Sequence, residues 1–144
     1  MNLVLDASVV IKWYLHEDLL ESALRLKEQI KERSAIVAVP RFFFVEAANV
    51  LWKNVTLRKD DLKRSDAKGI FSRILDLPLH ILEDDEILLR ALDLSMEQKL
   101  TIYDGMYLAG ALRFNATLIT ADAALVKRLA GSTMAHCVKY LGDF

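Results

Sequence analysis

Four carboxylates stand where they could do chemistry. Asp6 ends a short apolar run, Asn2-Leu3-Val4-Leu5, and Asp122 follows another, Thr117-Leu118-Ile119-Thr120. Glu46 interrupts the most apolar helical stretch, and Asp104 begins a helical pattern shortly before the second run. Singly, each has an ordinary explanation. An Asp in front of a helix is an N-cap, worth roughly 1 kcal/mol. Glu46, Asn49 and Lys53, at i, i+3 and i+7, make a normal polar stripe on an amphipathic helix. Capping does not account for strand-end acids that meet. Two carboxylates about 4.5 Å apart repel by roughly 3 to 4 kcal/mol at an effective dielectric of about 20. A cluster of four therefore needs protons or cations. Hard divalent ions answer that need, and Mg²⁺ or Mn²⁺ suits a site of carboxylates, waters and substrate phosphate. Such an ion lowers the pKa of a bound water and neutralises charge on a phosphodiester, and a second ion about 3.5 to 4 Å away would hold the leaving oxygen. No Ser-His or Cys-His pair offers a rival nucleophile. His16, His80 and His136 lie outside the carboxylate stretches and read as surface or structural residues.

The elements that must position these acids follow from the hydropathy pattern. A strand that begins almost at the first residue and is apolar on both faces belongs in the middle of a sheet. Asp6 then lies at the carboxyl end of a central strand, where open α/β sheets place their ligands. Ser8 then opens a short helical pattern carrying Val9, Val10, Ile11, Trp13 and Tyr14. Glu17 to Arg33 is a charged amphipathic helix, and Ala35 to Val39 a second strand closed by Pro40. Arg41 to Asn54 and Leu57 to Leu75 read as helices, Leu79 to Leu82 as a third strand. A helix from Asp84 to about Lys99 is acidic in its first turn, as the helix dipole prefers. Another runs from Asp104 to about Asn115. After the Thr117–Thr120 strand, Asp122 opens a helix that Gly131 terminates, and His136-Cys137-Val138 forms a fifth, edge strand. Strands alternating with helices predict a parallel sheet covered on both faces. If the first and fourth strands are neighbours, Asp6 and Asp122 end side by side.

The remaining composition narrows the class. With 144 residues, 53% hydrophobic and 27% charged, the chain reads as one folded domain spanning 1–144 with a substantial core. The net charge of -1 gives no global footprint for nucleic acid. Cys137 is the one cysteine, which excludes an intramolecular disulfide, and no Cys/His spacing suggests zinc. Asp6 and Lys12 interrupt the N-terminal apolar stretch, against a signal peptide, and no run reaches membrane-spanning length. The cytoplasm is the expected compartment. Charge is uneven: residues 53–73 carry a net +4 and residues 83–97 a net -5. These are either solvated helix faces or, for the basic run, a track for a phosphate backbone. Lys12 and Arg41 are further candidates for phosphate contacts.

At the carboxylates the sequence resembles the PIN-domain nucleases, and within them the small VapC-like toxins of prokaryotic toxin-antitoxin pairs. The similar stretches are Leu3 to Lys12, Val45 to Leu51, Ile102 to Ala109 and Ala116 to Asp122, in order and at matching spacing. The resemblance implies a three-layer α/β/α sandwich with a parallel sheet of four or five strands in the order 3-2-1-4-5. It implies metal-dependent endoribonuclease activity with Mg²⁺ or Mn²⁺, with Asp6, Glu46, Asp104 and Asp122 as the catalytic, metal-holding acids. Ser8 and Thr120 match the small hydroxyl positions that bond a carboxylate or a metal-bound water. Asn49 matches a polar position that orients a ligand. An RNA substrate, an antitoxin partner and a homodimer are implied as well. Phe42, Phe43, Phe44 and Trp52 are too many aromatics for one buried helix face, so one or two of them would line a dimer or partner surface. Gly105 departs from the pattern, where similar sequences have Ala. It leaves Gly105 and Ala109 as a small pair at i, i+4 that lets this helix approach its neighbour closely.

Three other readings fit a doubly wound sheet with an acid at a strand end. Phosphotransfer on an aspartate needs a second Asp two residues on, where Ser8 stands, or a pair of acids at the first strand end, where there is one. A non-catalytic assembly module, or an RNA-processing nuclease without an antitoxin, would share the fold. Presence of all four acids weighs against the assembly module.

Overall fold

A computed structural model of the chain describes residues 1–58 and 62–144. Its centre is a parallel sheet of five strands: β1 (Asn2–Leu5), β2 (Ile36–Pro40), β3 (His80–Leu82), β4 (Thr117–Thr120) and β5 (Val138–Tyr140). Their spatial order is β3-β2-β1-β4-β5, as the resemblance implies. Leu3, Val4 and Leu5 are buried, as are Leu118, Ile119 and Thr120 of the neighbouring strand. Burial on both faces is why these runs lack polar alternation. Leu5 is in register with Ile119. The ladder continues one step further, the Asp6 N–H donating to the Ile119 carbonyl at 3.1 Å.

The helices are α1 (Ala7–Val10), α2 (Leu20–Glu32), α3 (Phe43–Thr56), α4 (Arg64–Leu75), α5 (Asp85–Gln98), α6 (Ile102–Arg113) and α7 (Ala123–Leu129). α1 packs on α3, and α3 on α4; α5 lies along α6, which covers β1, β2 and β4. Connections between parallel neighbours are right-handed as a rule, so a sheet extended in both directions from its first strand is covered on both faces. The chain steps from β1 to β2 to β3 in one direction, then returns across β1 to add β4 and β5 in the other. The turning point is the β1/β4 pair, and the strand ends there carry Asp6 and Asp122. No described helix is long and apolar enough to cross a membrane.

Several boundaries differ from the sequence reading, for identifiable reasons. α2 begins at Leu20 rather than Glu17, because Leu19 adopts a left-handed conformation (φ 66°). The helix placed at Leu57–Leu75 is shorter: α3 runs on to Thr56, Leu57 caps it, and α4 starts only at Arg64. The part of that stretch at Lys59, Asp60 and Asp61 lies outside the described residues. α6 begins at Ile102, not Asp104. α7 ends at Leu129 with Ala130 as its cap, and Gly131 is not in the left-handed region. The fifth strand is Val138–Tyr140, preceded by a 3₁₀ turn over Ala135–Cys137.

α5 and α6 pack closely because Gly105 faces α5. A Cβ built there would fall 2.7 Å from the Ala91 carbonyl oxygen and 2.1 Å from Ser95 Oγ. Ala109 is also buried, so the small pair at i, i+4 is at the contact.

Candidate metal centre

All four acids lie where a helix leaves the carboxyl edge of the sheet. Asp6 is the N-cap of α1 and Asp122 the N-cap of α7, while Glu46 and Asp104 lie in the first turns of α3 and α6. The capping explanation therefore holds for Asp6 and Asp122, but it uses only part of each carboxylate. Asp6 Oδ1 accepts from the Ser8 N–H at 2.9 Å, and its Oδ2 accepts from the Thr120 hydroxyl at 2.8 Å. Asp122 Oδ1 accepts from the N–H groups of Ala124 and Leu125 at 2.8 and 3.1 Å. Asp104 is not a cap. Thr101 caps α6, accepting from the Asp104 N–H at 3.1 Å and donating to Asp104 Oδ2 at 2.8 Å. Among the described residues, Glu46 Oε1, Asp104 Oδ1 and Asp122 Oδ2 have no hydrogen-bond partner in the protein.

The two hydroxyl positions join the first and fourth strands. Thr120 is fully buried; its Oγ1 accepts from the Asp122 N–H at 3.1 Å while donating to Asp6. Ser8 Oγ accepts from the Ala121 N–H at 3.2 Å. Asp6 and the backbone of Asp122 are thus one side chain apart.

Glu46 reaches the same edge through a residue that sequence reading missed. The Tyr107 hydroxyl donates to Glu46 Oε2 at 2.5 Å and accepts from the buried Ala7 N–H at 3.2 Å. Tyr107 is only 2% exposed, and Phe42 packs edge-on against it with ring centroids 5.0 Å apart. A signal was present: Tyr107 follows Asp104 by three positions, on the same side of an apolar helix, and a buried phenol needs a polar partner. Asn49, one turn after Glu46, is exposed and makes no side-chain hydrogen bond among the described residues.

The charges feel one another. Burial pushes the Asp6 carboxyl above its ordinary 3.8; bonds from Ser8 and Thr120 oppose this, and the Asp104 charge adds to it. Burial likewise raises Glu46 above 4.5, opposed by the Tyr107 bond and reinforced by Asp6 and Asp104. The Tyr107 phenol is raised far above 10.0, by burial first and then by the charges of Asp6 and Glu46. It therefore stays protonated and remains a donor. Asp104 and Asp122 line one cleft of about 100 Å³, together with Thr101, Lys99 and Arg128.

Convergence is incomplete in one respect. Among the described residues no three His, Cys, Asp or Glu side chains form a closed metal cage. Like charges hold apart unless a cation lies between them, and Asp122 directs one oxygen into its own helix. The donor set nevertheless fits a hard divalent ion. It is all oxygen and anionic, the donor chemistry that Mg²⁺ takes.

The proposed phosphate contacts are differently placed. Lys12 bonds Glu17 at 3.2 Å, and Arg58 approaches the same carboxylate at 3.6 Å. Arg41 is paired with Glu83. The cations of α4 lie on a helix packed against α3, whereas those sharing a cleft with the acids are Lys99 and Arg128.

Comparison with known proteins bears on the same residues. The family model for the PIN domain matches residues 3–131. Ribonuclease VapC3 of Pyrobaculum aerophilum is 28% identical over 130 residues, covering 89% of this chain and 95% of that protein. A toxin-antitoxin complex from Klebsiella pneumoniae superposes with a TM-score of 0.66 at 19% identity, over 96% of each chain. VapBC2 from Rickettsia felis, bound to a DNA fragment from its promoter, gives 0.70 at 14% identity, over 97% of this chain and 98% of that one. At these identities the two solved structures speak for the fold.

Proposed function

The chain belongs to the PIN-domain family, and from that membership we propose that it is a Mg²⁺- or Mn²⁺-dependent endoribonuclease. The observation that carries this reading is geometric: Thr120 and the Ser8 N–H hold Asp6 at the end of β1, and Tyr107 bridges Glu46 to the adjoining Ala7 N–H. Asp122 shares the cleft of Asp104. The residues that would hold the ion are Asp6, Glu46, Asp104 and Asp122. The chemistry such an ion supplies when bound is activation of a water for in-line attack on a phosphodiester and neutralisation of the phosphate charge.

The chain's own residues prepare that site. Thr120 and the Ser8 N–H fix the orientation of Asp6. Tyr107 fixes Glu46, and Thr101 fixes Asp104 by one oxygen, leaving the other without a protein partner among the described residues. The N-terminal ends of α1, α3, α6 and α7 offset part of the negative charge with their backbone dipoles.

Toxin activity within a toxin-antitoxin pair is the biological role we propose, supported by the kinship to a VapC ribonuclease. An antitoxin and a second copy of the chain are the partners, with the cytoplasm as the place of action. Apolar residues outside the core support such contacts: Val45 and Trp52 on α3, and Leu88, Leu89, Leu92 and Met96 on α5, are exposed. Scattered apolar residues are ordinary, but rows of them on two helices mark contact surfaces. Co-expression of the adjacent small open reading frame should relieve the growth arrest the protein causes.

The catalytic reading is tested with Asp104→Asn. Asn still accepts from the Thr101 hydroxyl, so the fold is kept while the charge is removed. Several kcal/mol of charge stabilisation depend on the ion. Cleavage of RNA in Mn²⁺ should therefore fall at least about a hundredfold, with an unchanged melting curve in EDTA. Undiminished cleavage by this variant would count decisively against the proposal.

A further inference from the structure

We propose that Arg128 and Lys99 form a phosphate grip beside the acids, taking the RNA backbone one step away from the bond that is cut. The inference rests on the nuclease reading and adds to it which residues hold the substrate. Its basis is the cleft of about 100 Å³ in which Asp104 and Asp122 meet Lys99 and Arg128.

Two acids and two cations share that cleft, yet no ion pair within 4.0 Å joins them among the described residues. The pairs that do form involve other side chains, such as Lys12–Glu17 and Arg113–Asp84. Cations held near an acidic site but not neutralising it suit a ligand that bridges both, anionic toward the cations and cation-mediated toward the acids. A phosphodiester has that character. It would meet a divalent ion on one side and the two basic side chains on the other.

Arg128 is built for such a role. One guanidinium nitrogen donates to the Lys99 carbonyl at 2.6 Å, which ties α7 to the turn between α5 and α6. A guanidinium carries five donors in a planar fork, so the remaining ones are available to a phosphate. Lys99 caps α5 in a left-handed conformation, φ 54°. The same bond that anchors Arg128 therefore fixes the backbone from which the Lys99 side chain leaves. By contrast, Lys12 and Arg41 have carboxylate partners.

The competing role for Arg128 is purely structural, a cap on the last carbonyls of α5. Arg128→Gln removes the charge and leaves a shorter amide donor; the salt slope reports the lost charge, and a melting curve reports any loss of the bond to the Lys99 carbonyl. Lys99→Asn removes the second charge with a side chain that tolerates the left-handed region. The readout is fluorescence anisotropy of a short labelled single-stranded RNA of mixed sequence, in EDTA, over a range of KCl concentrations. Mn²⁺ affinity is measured separately by calorimetry.

Each substitution should weaken RNA binding about tenfold at low salt and reduce the slope of log affinity against log salt by about 0.7. Mn²⁺ affinity should stay at the wild-type value. Wild-type affinity and slope in both variants would overturn the grip and leave the nuclease reading standing. So would weakened binding in Arg128→Ala with normal binding in Arg128→Gln, which marks a cap alone. If the wild-type protein itself binds no RNA, the substrate assignment falls and the grip falls with it.

Discussion

Tyr107 is the side chain through which three helices meet at the carboxylates. It stands on α6, accepts the first free N–H of α1 and donates to Glu46 on α3. Replacing it with Phe keeps the ring against Phe42 but removes both bonds. The Ala7 N–H is then buried without an acceptor, at a cost of about 1 to 3 kcal/mol. Glu46 loses the donor that fixes its carboxylate. Residues that orient metal ligands typically contribute about 10- to 100-fold to metal affinity. For Tyr107→Phe, calorimetric Mn²⁺ binding should therefore weaken by about tenfold or more, alongside a lower melting temperature. A variant that melts earlier but binds Mn²⁺ normally would reduce Tyr107 to a packing residue. Thr120 acts in the same manner on Asp6, with its hydroxyl shared between the Asp122 N–H and the Asp6 carboxylate.

At the scale of the element, the closest fit is between α5 and α6. Gly105→Ala should destabilise the protein although Ala is the better helix former by about 1 kcal/mol. The Ser95 hydroxyl can turn aside, but the Ala91 carbonyl cannot, so α6 must move off α5. Overpacking of this kind costs about 1 to 3 kcal/mol, and the movement displaces the neighbouring Asp104. Thermal melts should show a midpoint several degrees lower, and a midpoint equal to wild type would mean that the two helices are not locked at this contact. The close pair was visible in the residues, since a Gly and an Ala four apart mark one narrow helix face. The central strands were visible too, because burial on both faces writes an unbroken apolar run. Strand order was not, since parallel neighbours leave no local trace, and it came with the family resemblance. The start of α6 was misplaced because Thr101 and Asp104 bond reciprocally, and either residue type caps a helix. Asp6 and Asp122 stood out as strand-end acids. Tyr107 did not, because its partners lie 61 and 100 positions away along the chain. The pairing of Arg41 with Glu83 was hidden for the same reason.

Across the whole molecule, an almost neutral chain sets four of its 20 acidic residues where helices begin at one sheet edge, and its stability there is linked to protons and cations. The carboxyls of Asp6 and Glu46 are raised, chiefly by burial, above 3.8 and 4.5. The folded state therefore holds these protons more tightly than the unfolded chain. Their contribution to stability is complete below those two values and is lost as pH rises through the raised folded ones. A divalent ion acts in the opposite direction, because it binds the deprotonated carboxylates and its affinity climbs with pH. At about a hundred times its dissociation constant, such an ion adds about 2.7 kcal/mol of stability. Paired thermal melts with Mn²⁺ and with EDTA, taken from acid to neutral pH, should thus diverge. The Mn²⁺-induced rise in midpoint should be small where Asp6 and Glu46 keep their protons, and it should grow as they lose them. Asp104→Asn should shrink that rise at neutral pH, since one of the charges that draws the ion is gone. A Mn²⁺ effect of constant size across the pH range would mean that the ion binds elsewhere, away from the two raised carboxyls.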